Sequence, residues 1–370
     1  MIPVNEPLLD GNEKKYLNEC IDTGWISSEG PFVQKFEEEI AAKVGRKHGI
    51  AVCNGTAALE AAVAALELRP GDEVIMPTFT IISCAASIVR RGCIPVLVDS
   101  DPMTWNMDAG QIEAKVTRRT KAIMIVHIYG LPVDMDPILH IAEKFGLKVI
   151  EDAAEMHGQR YKGRPCGSFG DISTFSFYPN KHITTGEGGM MLTDNDRLAE
   201  RCRSLRNLCF QPQKRFVHEE LGYNFRMTNL QAALGLAQLE RLEEFVARKR
   251  WMGEKYNELL LNVNGLELMQ EKTSYADSIY WVYGLVLKDG VPFDADEAMR
   301  RLGRRKIGTR PFFWPMHKQP VFRKMGLFNA ESYPVAERLA RRGFYIPSGM
   351  ALTEKQIEEV AEAVRGMMRV

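Results

Sequence analysis

An α/β fold is what this 370-residue sequence predicts: a large domain with a mainly parallel sheet, followed by a smaller α+β domain. Three observations carry the prediction. From about residue 30 to 200, short apolar runs alternate with stretches of helical periodicity. Each apolar run ends in polar residues, as strands buried on both faces do where they meet solvent. After residue 226 the rhythm changes to a long helical pattern, and then to shorter apolar runs.

The elements follow in order. "GIAVCN" is a short apolar run, and "GTAALEAAVAALEL" after it has helical periodicity. "PGDEVIMPTFT" opens with turn residues and runs apolar again. "CIPVLVDSD", "KAIMIVHIYG" and "LKVIEDAAE" each read as a buried strand with a polar end. "MDPILHIAEKFG" between the last two is a helix that the glycine closes. "STFSFYPNKHITTGEGGMMLTD" is an apolar, aromatic run that stops at Asn180 and Lys181. Hydroxyls and glycines follow, then a second apolar run. Residues 227–263 read as one extended helix leading into the second domain. That domain holds the run "IYWVYGLVL" and the helical tail "TEKQIEEVAEAVRGMMRV". The expected division is a segment 1–30 packing with the small domain, a large domain 31–248 and a small domain 249–370.

Composition sets the class. With 45% hydrophobic residues the chain can bury a large core. Lys+Arg and Asp+Glu are both 48, which argues against a nucleic-acid or polybasic membrane protein. The N-terminus lacks the basic and apolar regions of a signal peptide, and no apolar run suits a membrane span. The seven cysteines are scattered without Cys-x-x-Cys spacing. They read as small buried residues in a reducing cytoplasm, not as a metal site or a disulfide framework.

In an open parallel sheet, ligands bind beyond the carboxyl ends of the strands. Four stretches there carry candidate chemistry, and each also has a plainer reading. Gly55 and Thr56 open a helix whose free N–H groups suit a phosphate, or they are an ordinary capped start. Asp152 and Glu155 are acids at a strand's end, where solvation alone explains acids. Alternatively Asp152 pairs with a bound cation, Ala154 leaves room for a flat ring and Glu155 reaches a ring substituent. Ser176 suits a phosphate, and Lys181 is a surface charge or a lysine that forms a Schiff base. Glycines 186, 188 and 189 favour the second reading, because they permit close backbone approach. Asn224, Arg226 and Asn229 sit where helix-capping residues are common. Together the four stretches offer an anion cradle, an acid for a pyridinium, a seat for a flat ring and a lysine. Those are the requirements of a pyridoxal 5'-phosphate site.

With "GTAAL", "EDAAE", "GSFGDISTFSF", "NKHITTGEGGM" and "GYNFRMTN", the chain resembles the DegT/DnrJ/EryC1/StrS sugar aminotransferases. The similarity runs nearly end to end. It implies the aspartate-aminotransferase-like fold (PLP fold type I) and pyridoxal 5'-phosphate as cofactor. It implies Lys181 as the lysine bonded to the cofactor, Asp152 at the ring nitrogen, Glu155 near the ring hydroxyl and Ala154 against one ring face. Gly55, Thr56 and Ser176 would hold the phosphate. Asn224 would reach the phosphate of a neighbouring subunit, implying a homodimer or dimer of dimers with shared sites. Where many relatives stack an aromatic residue on the ring, this chain has Ile81, so an aliphatic face packs there or Phe79 compensates.

The implied reaction moves an amino group from L-glutamate to a nucleotide-linked 4-keto-6-deoxy sugar such as GDP-4-keto-6-deoxymannose. Trp25, Ser27, Ser28, Arg310 and His317 are the expected substrate contacts. One branch of the family replaces the lysine by histidine and dehydrates sugars; Lys181 favours transamination, and His182 is expected to have no catalytic role. A different acceptor, such as a 3-keto sugar, and a non-catalytic regulatory homologue are the alternatives.

Overall fold

Strands whose residues are almost all apolar must be covered on both faces, and the computed structural model, which describes residues 1–369, shows how. Seven of them form one sheet: β1 (His48–Val52), β2 (Glu73–Pro77), β3 (Ile94–Val98), β4 (Thr120–Val126), β5 (Lys148–Asp152), β8 (Ile172–Ser176) and β9 (Gly189–Thr193). A small ribbon, β6 (Arg160–Tyr161) with β7 (Arg164–Pro165), lies between β5 and β8 in sequence. The sheet order is β1-β9-β8-β5-β4-β2-β3. Neighbours pair in parallel except β9, which runs against both β8 and β1. Six carboxyl ends therefore share one edge.

Helices cover the sheet. They are α1 (Glu13–Thr23), α2 (Pro31–Val44), α3 (Gly55–Ala65), α4 (Ile82–Arg90), α5 (Met135–Phe145), α6 (Asp196–Arg206) and α7 (Asn229–Leu239). Their ends follow local chemistry. The Asn54 side chain accepts the Ala57 N–H at the start of α3. Thr228 and Gln231 form a reciprocal cap on α7. Gly146 closes α5 with φ +63°, as its sequence predicts.

The C-terminal part has its own antiparallel sheet, ordered β10 (Leu266–Leu268), β11 (Tyr283–Leu287), β13 (Gly343–Ile346), β12 (Arg310–Pro311). Its helices are α9 (Ala295–Arg304), α10 (Pro320–Lys324), α11 (Pro334–Arg342) and α12 (Glu354–Met368). The pattern at 227–263 is not one helix. It divides into α7 and α8 (Leu242–Leu260), with a break at Glu240 and Arg241. Both residues of the break are held from outside: Asn12 and Tyr16 bond Glu240, and Asp10 bonds Arg241. The helical pattern survives the break because α7 buries most of its residues and α8 continues with one buried face. The expected boundary at 248/249 falls inside α8.

The first residues lie across the molecule. The Ile2 N–H donates to Lys306 O (2.9 Å), and the Ser348 N–H donates to Val4 O (2.9 Å). Asn5 Nδ2 donates to Pro179 O (2.8 Å), and Gln238 Nε2 donates to Leu8 O (2.9 Å). Among the described residues, no helix is long and apolar enough to cross a membrane.

Candidate active site

The shared carboxyl edge gathers the ends of β1, β5 and β8 with the amino end of α3. Beyond β8 the chain runs through loop 177–188, which carries Lys181, before returning as β9. Close contact of these backbones requires glycine. A Cβ on Gly55 would meet Ser176 Cβ at 2.8 Å, and one on Gly189 would meet the Asn54 carbonyl oxygen at 2.4 Å. The result is a cavity of about 690 Å³. Gly55, Thr56, Asp152, Ala154, Glu155, Ser176 and Lys181 all line it.

At one end stands the α3 amino terminus, with its free N–H groups and the positive end of its dipole. Thr56 Oγ1 and Ser83 Oγ are 2.8 Å apart there, beside Ser176. Hydroxyls and N–H groups in that arrangement suit a phosphate.

At the other end is Lys181. A turn fixes its backbone, the N–H donating to Tyr178 O at 2.9 Å. Its Nζ lies 3.9 Å from the centre of the Trp281 ring and 3.9 Å from Glu155 Oε1. The Trp281 indole N–H donates to Asn180 O at 2.8 Å, so the ring and the lysine loop are tied together. Burial lowers the Lys181 pKa from its ordinary value, against the opposing pull of Glu155 and Asp152. Burial likewise raises Glu155, to about 8, against the pull of Lys181 and the Tyr129 N–H, which bonds Glu155 Oε2 at 2.7 Å.

Asp152 lies in the middle, 3% exposed. Its Oδ1 accepts the Ala154 N–H at 3.1 Å, and its Oδ2 accepts the Cys84 thiol at 3.3 Å. Burial raises its pKa, and the Ala154 and Cys84 bonds, Lys181 and His127 pull it back. A buried carboxyl facing a cavity suits a cationic partner, as a pyridinium N–H would be. The phosphate cradle, the carboxyl and the buried amine fit pyridoxal 5'-phosphate. Behind Asp152, His127 and Glu151 form a closed pair, 3.0 Å apart. The Val133 N–H donates to His127 Nδ1 (3.1 Å), and the Phe169 N–H donates to Glu151 Oε2 (2.8 Å).

Other expected residues lie elsewhere. Asn224 is exposed and outside the cavity lining of its own chain. Trp25 is on the surface. Ser27 offers its carbonyl to the Asn229 N–H (2.8 Å), and Ser28 lines a separate cleft of about 240 Å³ with Arg206 and Arg226. Arg310 is exposed at β12. His317, expected as a substrate contact, is fully buried in this chain, and both ring nitrogens are engaged. Nδ1 lies 2.8 Å from Thr78 Oγ1, and Nε2 lies 2.9 Å from a Glu337 oxygen. Phe79 is also turned away. It packs 5.9–6.1 Å from the rings of Tyr129, Phe312 and Phe313, while Ile81 lines the cavity.

Sequence reasoning missed Trp281, Ser83 and the Cys84 contact. Trp281 read only as part of an apolar run, and no local signal ties it to a lysine a hundred residues earlier. Cys84 is buried as expected, but its direction toward Asp152 comes from the packing of α4 on the sheet.

The model of the DegT/DnrJ/EryC1/StrS aminotransferase family matches residues 7–365. The GDP-perosamine synthase of Caulobacter vibrioides is 44% identical over 363 residues, 98% of this chain and 97% of that one. The GDP-perosamine synthase of Escherichia coli O157:H7 is 42% identical with the same coverage. Among solved structures, the aminotransferase TlmJ from Streptoalloteichus hindustanus superposes with a TM-score of 0.92 at 31% identity, covering 99% of this chain and 98% of that one.

Proposed function

This chain belongs to the DegT/DnrJ/EryC1/StrS aminotransferase family, a family of pyridoxal-phosphate-dependent enzymes acting on nucleotide sugars, and from that premise we propose that it is a GDP-perosamine synthase. The reaction would carry the amino group of L-glutamate to carbon 4 of GDP-4-keto-6-deoxymannose and so supply an amino sugar for polysaccharide and O-antigen synthesis. Similarity to two GDP-perosamine synthases over nearly the whole chain supports the acceptor. The observation that carries the chemistry is the meeting of Lys181, Glu155 and Asp152 in one cavity with the α3 amino terminus.

The proposed roles follow from the surroundings. When bound, pyridoxal 5'-phosphate supplies a carbonyl that condenses with amines and a protonated ring that accepts an electron pair. Gly55, Thr56 and Ser176 would hold its phosphate at the amino end of α3. Asp152 would accept the ring N–H and favour its protonated form. Glu155 would serve the ring hydroxyl, and Ala154 and Ile81 would pack against the ring. Lys181 would be the residue that bonds the cofactor. Its Nζ, when free, would serve as the base for the donor's α-proton and as the acid that gives a proton to the acceptor carbon. Burial lowers its pKa and so favours the neutral amine that such work needs. Asn224 would serve the site of a second copy. Trp25, Ser27, Ser28 and Arg310 would meet the nucleotide sugar in the assembled dimer.

The test is incubation with pyridoxal 5'-phosphate, L-glutamate and a panel of nucleotide-linked 3-keto and 4-keto sugars. The product is scored by mass and by the position of its new amine. The expected product is GDP-perosamine. Turnover of another sugar alone would retain the enzyme class and reject this acceptor. No turnover of any would reject both.

A further inference from the structure

Cys84, on α4, is a buried group beside the site to which the proposed reaction gives no part. Its Sγ lies 3.3 Å from Asp152 Oδ2 and 3.5 Å from Thr80 Oγ1. Cys84 is 0% exposed and Thr80 1%. Asp152 Oδ1 is held by its own turn, through the Ala154 N–H at 3.1 Å. Packing alone asks only for a small apolar residue at position 84. A thiol aimed at a carboxylate oxygen asks for more.

We propose that Cys84 is a positioning residue: its S–H, directed by the Thr80 hydroxyl, holds Asp152 Oδ2 so that the carboxylate meets the cofactor's ring nitrogen already aligned. This rests on the role proposed above for Asp152. The proton count fixes the direction of the chain. Cys84 has one S–H, and a carboxylate only accepts, so that proton goes to Asp152. The sulfur must then accept from Thr80 Oγ1, and the order is Thr80 to Cys84 to Asp152. The thiol remains a donor throughout, because burial and then the Asp152 charge raise its pKa well above the ordinary value. The bond in turn opposes the burial that makes Asp152 harder to ionise. Serine at 84 would supply an O–H in the same direction; alanine or valine would leave Oδ2 without its donor.

The experiment compares Cys84→Ala, Cys84→Ser and Cys84→Val with the wild type. One readout is titration of Asp152 in the cofactor-free protein, by NMR of carboxyl-labelled aspartate, with Asp152→Asn identifying the signal. The second is the dissociation constant of pyridoxal 5'-phosphate, by quenching of tryptophan fluorescence. Cys84→Ala is expected to titrate Asp152 at higher pH and to bind cofactor about ten-fold more weakly or worse, as loss of a bond to a charged group implies. Cys84→Ser is expected to restore both. Should Cys84→Ala not fold, Cys84→Val keeps the bulk without the donor and gives the same comparison. An unchanged Asp152 titration in the donorless variant, or a serine variant no better than it, overturns the proposal. If Asp152→Asn binds cofactor as tightly as the wild type, the reading of Asp152 falls first and this one with it.

Discussion

Lys181 and Asp152 are legible in the sequence because each sits where a strand gives way to polar residues, and ligands of parallel sheets bind at such ends. Trp281 is not legible. It reaches Lys181 only when the small sheet folds against loop 177–188. Two outcomes follow for single residues. Lys181→Ala should lower turnover by at least about 10²–10⁴-fold, the loss expected for a positioned base alone. Borohydride treatment of the wild type, followed by peptide mass mapping, should place the reduced cofactor on Lys181; a modified peptide elsewhere would remove the assignment. Asp152→Asn should fold normally and lose about 10²–10³-fold in kcat, the scale of one preorganised electrostatic group. Steady-state kinetics beside a circular dichroism spectrum will decide, and near-normal turnover would reduce Asp152 to a solvated strand end.

Between elements, the alternation of strand and helix is readable because short continuous apolar runs bounded by polar and turn residues alternate with longer stretches of 3.6-residue period. The break between α7 and α8 is not, since the residues that hold it open come from the distant N-terminal segment. His317 shows the same gap. Its motif placed it at the substrate, whereas the fold uses it to link Thr78, beyond β2, to Glu337 on α11. His317→Ala should therefore cost about 1–3 kcal/mol of stability by leaving the buried Thr78 hydroxyl without its partner. The cost should depend on pH. Burial raises the pKa of Glu337, but bonds from His317, the Tyr333 N–H and Lys318 outweigh it and bring the carboxyl down to about 2. A depressed carboxyl stabilises above its unfolded value of 4.5, and that contribution is lost as pH falls toward 2. Burial also lowers the His317 pKa, so acid works against the link from both sides. Urea midpoints of wild type and variant should converge as pH falls, first below the ordinary histidine value of 6.5 and further below 4.5; a gap independent of pH would mean that the His317–Glu337 bond contributes nothing.

At the scale of the whole molecule, the expected residues divide into two sets. Those for the cofactor meet in one cavity, while Asn224, Trp25 and Arg310 stand exposed around the chain. A twofold dimer would give the second set a site to serve. Mixing Lys181→Ala with Asn224→Ala protein under subunit exchange tests this. One site of each heterodimer would combine an intact lysine with an intact asparagine, and activity should rise above that of either parent. No rise, despite proven exchange and a defect in Asn224→Ala alone, would put Asn224 in its own subunit's site.

The course of residues 2–8 across the molecule has a consequence for biosynthesis. Ile2 and Val4 leave the ribosome about three hundred residues or more before their partners, Lys306 and Ser348. Asn5 in turn holds Pro179, at the base of the lysine loop. Translation of the intervening chain takes on the order of tens of seconds. Through that interval the large sheet can assemble, but the loop that carries Lys181 lacks Trp281, and the segment that tethers it lacks its anchors at Lys306 and Ser348. A nascent chain would thus hold Lys181 loosely, and the pocket would set only when these distant segments meet.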